Sequence, residues 1–213
     1  PKLKLMAEIK LDSDKAAKAD VKRAVTGGEF RSDGWQAKDR LDRFRLELKD
    51  GFAADEAGAI ELEMSNLDFV SQVDGRKQHF FSLYTDASGN HFARSNQFFT
   101  LRGGNYNDAE GNRGIKILWR GGAERDRGEK APFAARTVWD KQAVYVWRAE
   151  WTRDELVVLL NGERIFGPAE FKQREPRPLK YIFLSRDGCP KEAVWYGFAG
   201  PVYRKLRVYR EAK

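Results

Sequence analysis

The sequence predicts an all-β protein built as two antiparallel sheets, and three observations carry that expectation. Short β-rich runs recur at close spacing along most of the chain, separated by turn residues. Several of these runs alternate with period 2. Phe44, Leu46 and Leu48 share one side against Arg43, Arg45 and Glu47, and Ile60, Leu62 and Met64 share one side against Glu61 and Glu63. One apolar and one polar side per strand is the pattern of an antiparallel sheet with one face on a core. Finally, Asn161-Gly162 stands between two β-rich runs. Both residue types tolerate positive φ, so the pair marks a tight hairpin.

Taken in order, Lys2 to Asp12 reads as a strand of mixed alternation. Ser13 to Val25, rich in Ala and Lys, predicts a short helix ended by Gly27-Gly28. Strands are then expected over Glu29–Arg31, Gly34–Ala37, Asp42–Leu48, Gly58–Met64, His79–Thr85, Gln97–Arg102 and Gly114–Arg120. Five more follow over Ala143–Trp151, Glu155–Leu160, Glu163–Phe166, Tyr181–Ser185 and Val202–Arg210. Asp86 to Asn90 reads as a turn. Gly103-Gly104-Asn105 and Gly121 to Gly128 read as loops. Trp147 and Trp151, four apart on one strand, are expected in the core. No repeat or low-complexity segment interrupts the pattern.

A chain of 213 residues reads as one domain and is long enough to bury about 70% of its unfolded surface. Hydrophobic residues make up 41% and charged residues 33%, which places it among globular rather than disordered chains. The formal net charge is +7 and the sequence pI about 9.4. Such a balance favours an anionic partner or serves solubility. Lys and Arg are spread along the chain and no nucleic-acid motif appears, so no nucleic-acid partner is expected. The single cysteine, Cys189, excludes an internal disulfide. No run approaches the roughly 20 apolar residues of a membrane helix, so no membrane span is expected. No signal peptide is evident, and a start at Pro1 is compatible with trimming.

Four stretches together resemble a known fold family. Tyr145 to Phe166 (YVWRAEWTRDELVVLLNGERIF) resembles the Y-x-F-x-W-T-x-D-x-I-x-x-Y-V-D-G signature of concanavalin A-like jelly rolls. Gly34-Trp35 is similar to the early D-G-W region of laminin-G-like sandwiches. Gly58 to Glu63 (GAIELE) is similar to their G-T-I-E-F-W-V strand, and Tyr203 to Tyr209 (YRKLRVY) to their closing strand. The resemblance runs from about Gly28 to Tyr209 within a single 1–213 domain. It implies a concanavalin A-like jelly roll that handles carbohydrate in an extracellular or periplasmic setting.

Three site readings follow. In the first, Ala59 to Glu63 (AIELE) resembles the E-I-D-I-E strand of family 16 glycoside hydrolases. Glu63 falls on the acid/base and Glu61 on the assisting Asp, while Ala59 falls on the nucleophile. A methyl group forms no glycosyl-enzyme bond, which argues against a retaining hydrolase. Glu61 and Glu63, about 7 Å apart on one strand face, match an inverting pair in spacing, yet they project in parallel. In the second, Gln78-His79, Arg43 and Arg45, and the run from Phe98 to Asn107 that holds Tyr106 resemble fragments of alginate-type lyases. There Arg would neutralise a uronate, and His79 or Tyr106 would move protons. The third is a non-catalytic binding surface. It would use Arg43, Arg45, Arg102, Lys116 and Arg148 for carboxylate or sulfate. Tyr84, Trp119 and Trp139 would supply rings for stacking.

The expected function is therefore a non-catalytic carbohydrate-interacting domain for an acidic or neutral polysaccharide or oligosaccharide. An active glycoside hydrolase or polysaccharide lyase, with Glu61, Glu63, His79 and Tyr106 as its catalytic candidates, is the alternative, and a protein-interaction domain is a third. No organic cofactor is expected. His79 and His91 lack metal-ligand spacing, and Asp86 to Asn90 lacks the regular ligand series of a calcium loop. A structural calcium held by backbone carbonyls would leave no mark in the sequence.

Overall fold

The computed structural model describes residues 1–13, 21–67, 78–90, 97–105, 113–119, 128–129, 139–171, 177–188, 196–197 and 199–212. Its strands are β1 (Leu3–Lys10), β2 (Val21–Thr26), β3 (Glu29–Arg31), β4 (Gly34–Gln36), β5 (Arg43–Phe52), β6 (Gly58–Ser65), β7 (Gln78–Tyr84) and β8 (Gln97–Asn105). They continue with β9 (Arg113–Trp119), β10 (Gly128–Glu129), β11 (Tyr145–Trp151), β12 (Glu155–Leu160), β13 (Glu163–Glu170), β14 (Leu179–Ser185), β15 (Tyr196–Gly197) and β16 (Val202–Glu211).

Two sheets form the jelly-roll sandwich. Sheet A runs β13-β12-β11-β6-β16-β4-β3, with β1 also on β16. Sheet B runs β10-β9-β8-β7-β14-β5-β2, with the short β15 also on β7. All pairings are antiparallel except β15 with β7. The expected all-β, two-sheet fold is thus the observed one. The expected N-terminal helix is corrected. Val21 to Thr26 is β2, an edge strand in register with Leu48 to Arg43 of β5, and no helix occurs among the described residues. Val21, Arg23 and Val25 alternate in burial with Lys22, Ala24 and Thr26. Pairing with β5 overrides the Ala/Lys helix preference. The rest of that predicted helix, 14–20, lies outside the described residues. Gly103 to Asn105 also belongs to β8 rather than to a loop.

The core is filled by the inward side of each strand. Ile60, Leu62, Met64, Trp147, Trp151, Leu206 and Val208 of sheet A face Phe44, Leu46, Phe81, Leu83, Phe99, Leu101, Ile182 and Leu184 of sheet B. Trp151 packs edge-on to Phe52 and Phe98, at 4.9 and 5.4 Å, and Trp147 edge-on to Phe80 at 5.1 Å. Each such ring pair adds about 0.5–1.5 kcal/mol to what area burial supplies.

Two irregularities matter for the site. The β7–β8 register shifts between His79 and Phe81, and again between Leu83 and Tyr84. Phe80 and Phe98 each occupy a shift and enter the core beside Phe81 and Phe99. An extra residue inverts the side of everything beyond it. His79 therefore pairs with Arg102, and Ser82 with Thr100, on the side away from the core.

Candidate functional site

The two outward faces of the sandwich differ in kind. The outward face of sheet A carries Ala59, Glu61 and Glu63 from β6, Arg148 and Glu150 from β11, and Lys205, Arg207 and Tyr209 from β16. Its charges are matched. Arg207 Nη1 lies 2.6 Å from Glu61 Oε1 and 2.8 Å from Glu63 Oε1, and its Nε donates to Glu8 Oε2 at 2.8 Å. Arg148 reaches Glu150 at 2.9 Å and Glu61 at 3.5 Å, with its guanidinium 4.4 Å from the Tyr209 ring. Lys205 stands 3.7 Å from Glu63. The bond to Glu8 and the surrounding carboxylates hold Arg207 above the ordinary arginine range against the opposing effect of burial. A groove of about 180 Å³ opens beside this ladder, between Lys10, Asp12, Ser32, Asp33, Glu63 and Arg204. One guanidinium fills the gap between Glu61 and Glu63. Their oxygens face cations, where an inverting pair would need an open space for sugar and water.

The outward face of sheet B is different. Here β7 contributes His79, Ser82 and Tyr84, and β8 contributes Gln97, Thr100 and Arg102. The strand β14 contributes Tyr181, Phe183 and Ser185, and β5 contributes Arg43, Arg45 and Glu47. Across β7 and β8 the polar residues are buried. His79 Nδ1 is 2.7 Å from Asp187 Oδ2, with each side chain 1% exposed. The Tyr84 hydroxyl donates to the same oxygen at 3.0 Å. Gln97 reaches Tyr84 Oη at 3.5 Å and also donates to Thr100 Oγ1. These contacts offset part of the cost of burying polar groups, while Ser82 Oγ and Gln97 Oε1 meet no hydrogen-bond partner among the described residues.

Across β5 and β14 the same face opens. Arg43, Arg45, Glu47, Lys180 and Tyr181 are half-buried. The Arg45 guanidinium lies 5.9 Å from the Tyr181 ring centroid, and its Nη1 donates to the Ala87 carbonyl at 3.1 Å. Lys180 pairs with Glu47 at 3.3 Å. The Asp86–Asn90 turn folds onto this face. Asp86 accepts the Ser88 N–H at 2.7 Å, and a Cβ on Gly89 (φ +55°) would run into the Phe183 ring. Only glycine lets the turn lie this close.

The structure thus divides the sequence-predicted residues. Glu61, Glu63 and Arg148 stand on sheet A, while His79, Tyr84, Arg43, Arg45 and Arg102 stand on the opposite side of the sandwich. Lys116 is in register with Arg102 on sheet B. Trp139 is 9% exposed and belongs to the core. Its ring stacks on Trp147 at 6.1 Å and meets Tyr145 at 5.0 Å, so its faces are covered. Trp119 closes an edge between the sheets, packing on Phe166 at 4.8 Å and donating to the Glu170 carbonyl at 3.2 Å. Tyr106 lies outside the described residues, as do His91 and Cys189. Sequence reasoning missed Asp187, Gln97 and Tyr181. The one signal for Asp187 was a polar Arg-Asp-Gly stop directly after a strand. Among the described residues, no group of three or more His, Cys, Asp or Glu side chains converges to hold a metal.

No protein-family model matches the chain, and no curated protein matches it either. Solved structures do match. A Trypanosoma rangeli sialidase in complex with sialic acid is similar at a TM-score of 0.63 and 10% identity over 98% of this chain, which spans 31% of the sialidase chain. The Emp47p carbohydrate recognition domain is similar at a TM-score of 0.59 and 14% identity over 98% of both chains. Domain 4 of AbnA, a GH43 extracellular arabinanase from Geobacillus stearothermophilus, in complex with arabinotriose, is similar at a TM-score of 0.56 and 14% identity. That match covers 100% of this chain and 95% of that one. Identities this low carry the β-sandwich fold alone.

Proposed function

We propose that the chain is a carbohydrate-interacting domain that holds a polysaccharide or oligosaccharide on the outward face of sheet B without cleaving it. The observation that carries the reading is the half-buried strip of Arg43, Arg45 and Tyr181, backed by a buried polar network. An aromatic ring with guanidinium donors beside it suits a sugar, whose C–H face stacks while its hydroxyls accept hydrogen bonds. The network beside the strip holds it in place, because Asp187, Tyr84 and Gln97 tie the end of β14 to β7 and β8. The fold likeness to a carbohydrate recognition domain and to a domain in complex with arabinotriose supports the same reading. An extracellular setting accords with that of the arabinanase, itself an extracellular enzyme.

A catalytic reading is the alternative, and one observation favours it. His79 and Tyr84 meet at a single carboxylate oxygen, which is an acid/base arrangement in outline. Against it, His79 is almost wholly buried and its partners are internal. A proton acceptor has to reach the substrate.

Binding and turnover separate the readings. The purified domain is screened on an array of acidic and neutral polysaccharides, and each hit is assayed for released reducing or unsaturated ends. Binding without product, weakened by Tyr181→Ala, is the expected result. Product formation abolished by His79→Ala would replace binding with catalysis. No binding anywhere on the array would leave protein interaction as the better account.

A further inference from the structure

We infer that Arg43, with Arg45 and Arg186 beside it, forms an anion pocket that recognises the carboxylate or sulfate of an acidic saccharide. The inference rests on the carbohydrate reading above and names its substrate class.

Arg43 and Arg45 are two apart on β5, so both project outward from sheet B. Arg43 is in register with Ser185 of β14, and Arg186 follows at that strand's end with its N–H on the Asp42 carbonyl at 3.3 Å. Three guanidinium-bearing residues therefore meet where β5 begins and β14 ends. Arg45 is anchored by the Ala87 carbonyl, which uses one of its five donors. Arg43 is half-buried, and among the described residues none makes an ion pair or hydrogen bond with its side chain.

The contrast with sheet A makes this informative. There, Glu61, Glu63 and Glu8 all face cations. On sheet B a cation is kept partly out of water beside two more cations. Burial first, then the charges of Arg45 and Arg186, hold Arg43 below the ordinary arginine range, and Asp187 offsets them only in part. Such a group destabilises the free protein, and an incoming anion relieves it. Carboxylate and sulfate present paired oxygens that match a guanidinium fork. Tyr181, farther along the same face, places a ring surface beside the Arg45 guanidinium, which lies 5.9 Å from the ring centroid.

Matched glycans test the pocket. Oligogalacturonate is compared with its carboxyl-reduced galactan, and a sulfated galactan with its desulfated form, by titration calorimetry at two salt concentrations. Each is titrated into the wild-type domain, Arg43→Gln and Arg153→Gln. Arg153 is a control on an exposed turn, its side chain 77% exposed. Preference for an acidic member, with a loss of about tenfold or more in Arg43→Gln alone, is expected. Which acidic member wins assigns carboxylate or sulfate. Equal affinity for acidic and neutral members overturns the anion pocket and leaves the carbohydrate reading standing, whereas no binding to any member overturns both. Equal losses in the two variants would assign the preference to overall charge and overturn the pocket. A single-stranded DNA control that binds as tightly and as Arg43-dependently would overturn the saccharide as its occupant. A cooperative thermal transition in each variant shows that it is folded.

Discussion

His79 Nδ1 and Asp187 Oδ2 lie 2.7 Å apart, each side chain 1% exposed, and the Tyr84 hydroxyl donates to the same carboxylate oxygen at 3.0 Å. The carboxylate is the shared partner of two buried groups from opposite ends of β7. Removing its charge strands both. Asp187→Asn is expected to cost about 3 kcal/mol, as breaking a buried charged contact does, and Tyr84→Phe about 1–2 kcal/mol. In urea unfolding the double variant should lose less than the sum of the two, by more than about 0.5 kcal/mol. Strict additivity would mean that the two side chains do not act through one network.

Glu61 gives the opposite result on sheet A. Its carboxylate meets Arg207 at 2.6 Å and Arg148 at 3.5 Å, but the ladder is partly open to solvent. Screened pairs contribute little. Glu61→Gln is expected to cost about 1 kcal/mol or less and to leave glycan binding unchanged, because the site proposed for sugar lies on the other side of the sandwich. A loss of binding in Glu61→Gln or Glu63→Gln with stability unchanged would move the site to sheet A.

The division between faces marks where the sequence could and could not be read. Alternation over Arg43–Leu48 and Ile60–Met64 was plain, since every second residue there is apolar, so the sides of Arg43, Arg45, Glu61 and Glu63 followed directly. Trp147 and Trp151 followed the same way and lie in the core. Strand β7 was opaque. Gln78 to Tyr84 is buried throughout, and its two register shifts leave no periodic signature. Plain alternation would place His79 on the side of Phe81 and Leu83, in the core. The shift at Phe80 turns it out toward Arg102 and Asp187 instead. Trp139 was misleading for a related reason. A tryptophan outside any predicted strand looks available, but tertiary stacking on Trp147 covers it. Asp187 was invisible because its partners lie about a hundred residues away in sequence and only the β14–β7 pairing brings them together.

Acid sensitivity should come in part from two surface carboxyls. The hydrogen bond from Arg207, reinforced by the charges of Lys205, Arg207 and Lys10, holds Glu8 below the ordinary glutamate value of 4.5. Hydrogen bonds from Ser88, with Arg177 nearby, hold Asp86 below the ordinary aspartate value of 3.8. A carboxyl depressed in the folded state binds its proton more weakly there than in the unfolded chain. Its contribution is complete above the unfolded value and is lost as pH falls through the folded one. The Tm should therefore be flat with respect to these two groups above pH 4.5 and fall below it. Glu8→Gln should lower the plateau slightly and flatten the acid limb. An unchanged limb in Glu8→Gln would assign the acid loss to other carboxyls.

The hairpin between β12 and β13 allows backbone and side-chain effects to be separated. Asn161 and Gly162 have φ of 51° and 82°, a two-residue turn with both centres left-handed, which matches strand twist. A Cβ on Gly162 would meet nothing within 4 Å. Gly162→Ala therefore costs only its backbone strain, roughly 1 kcal/mol. Asn161 does more. Its Oδ1 accepts the Val146 N–H at 2.8 Å, and its own N–H donates to the Val146 carbonyl at 2.8 Å, fastening the turn to β11. Asn161→Gly keeps the left-handed turn but loses the side-chain acceptor, at about 1 kcal/mol. Asn161→Ala loses the acceptor and also strains the turn, so it should cost about twice as much as either. Denaturant midpoints of the three variants, at constant slope, decide this. Equal midpoints for Asn161→Gly and the unsubstituted domain would show that the Val146 contact contributes nothing.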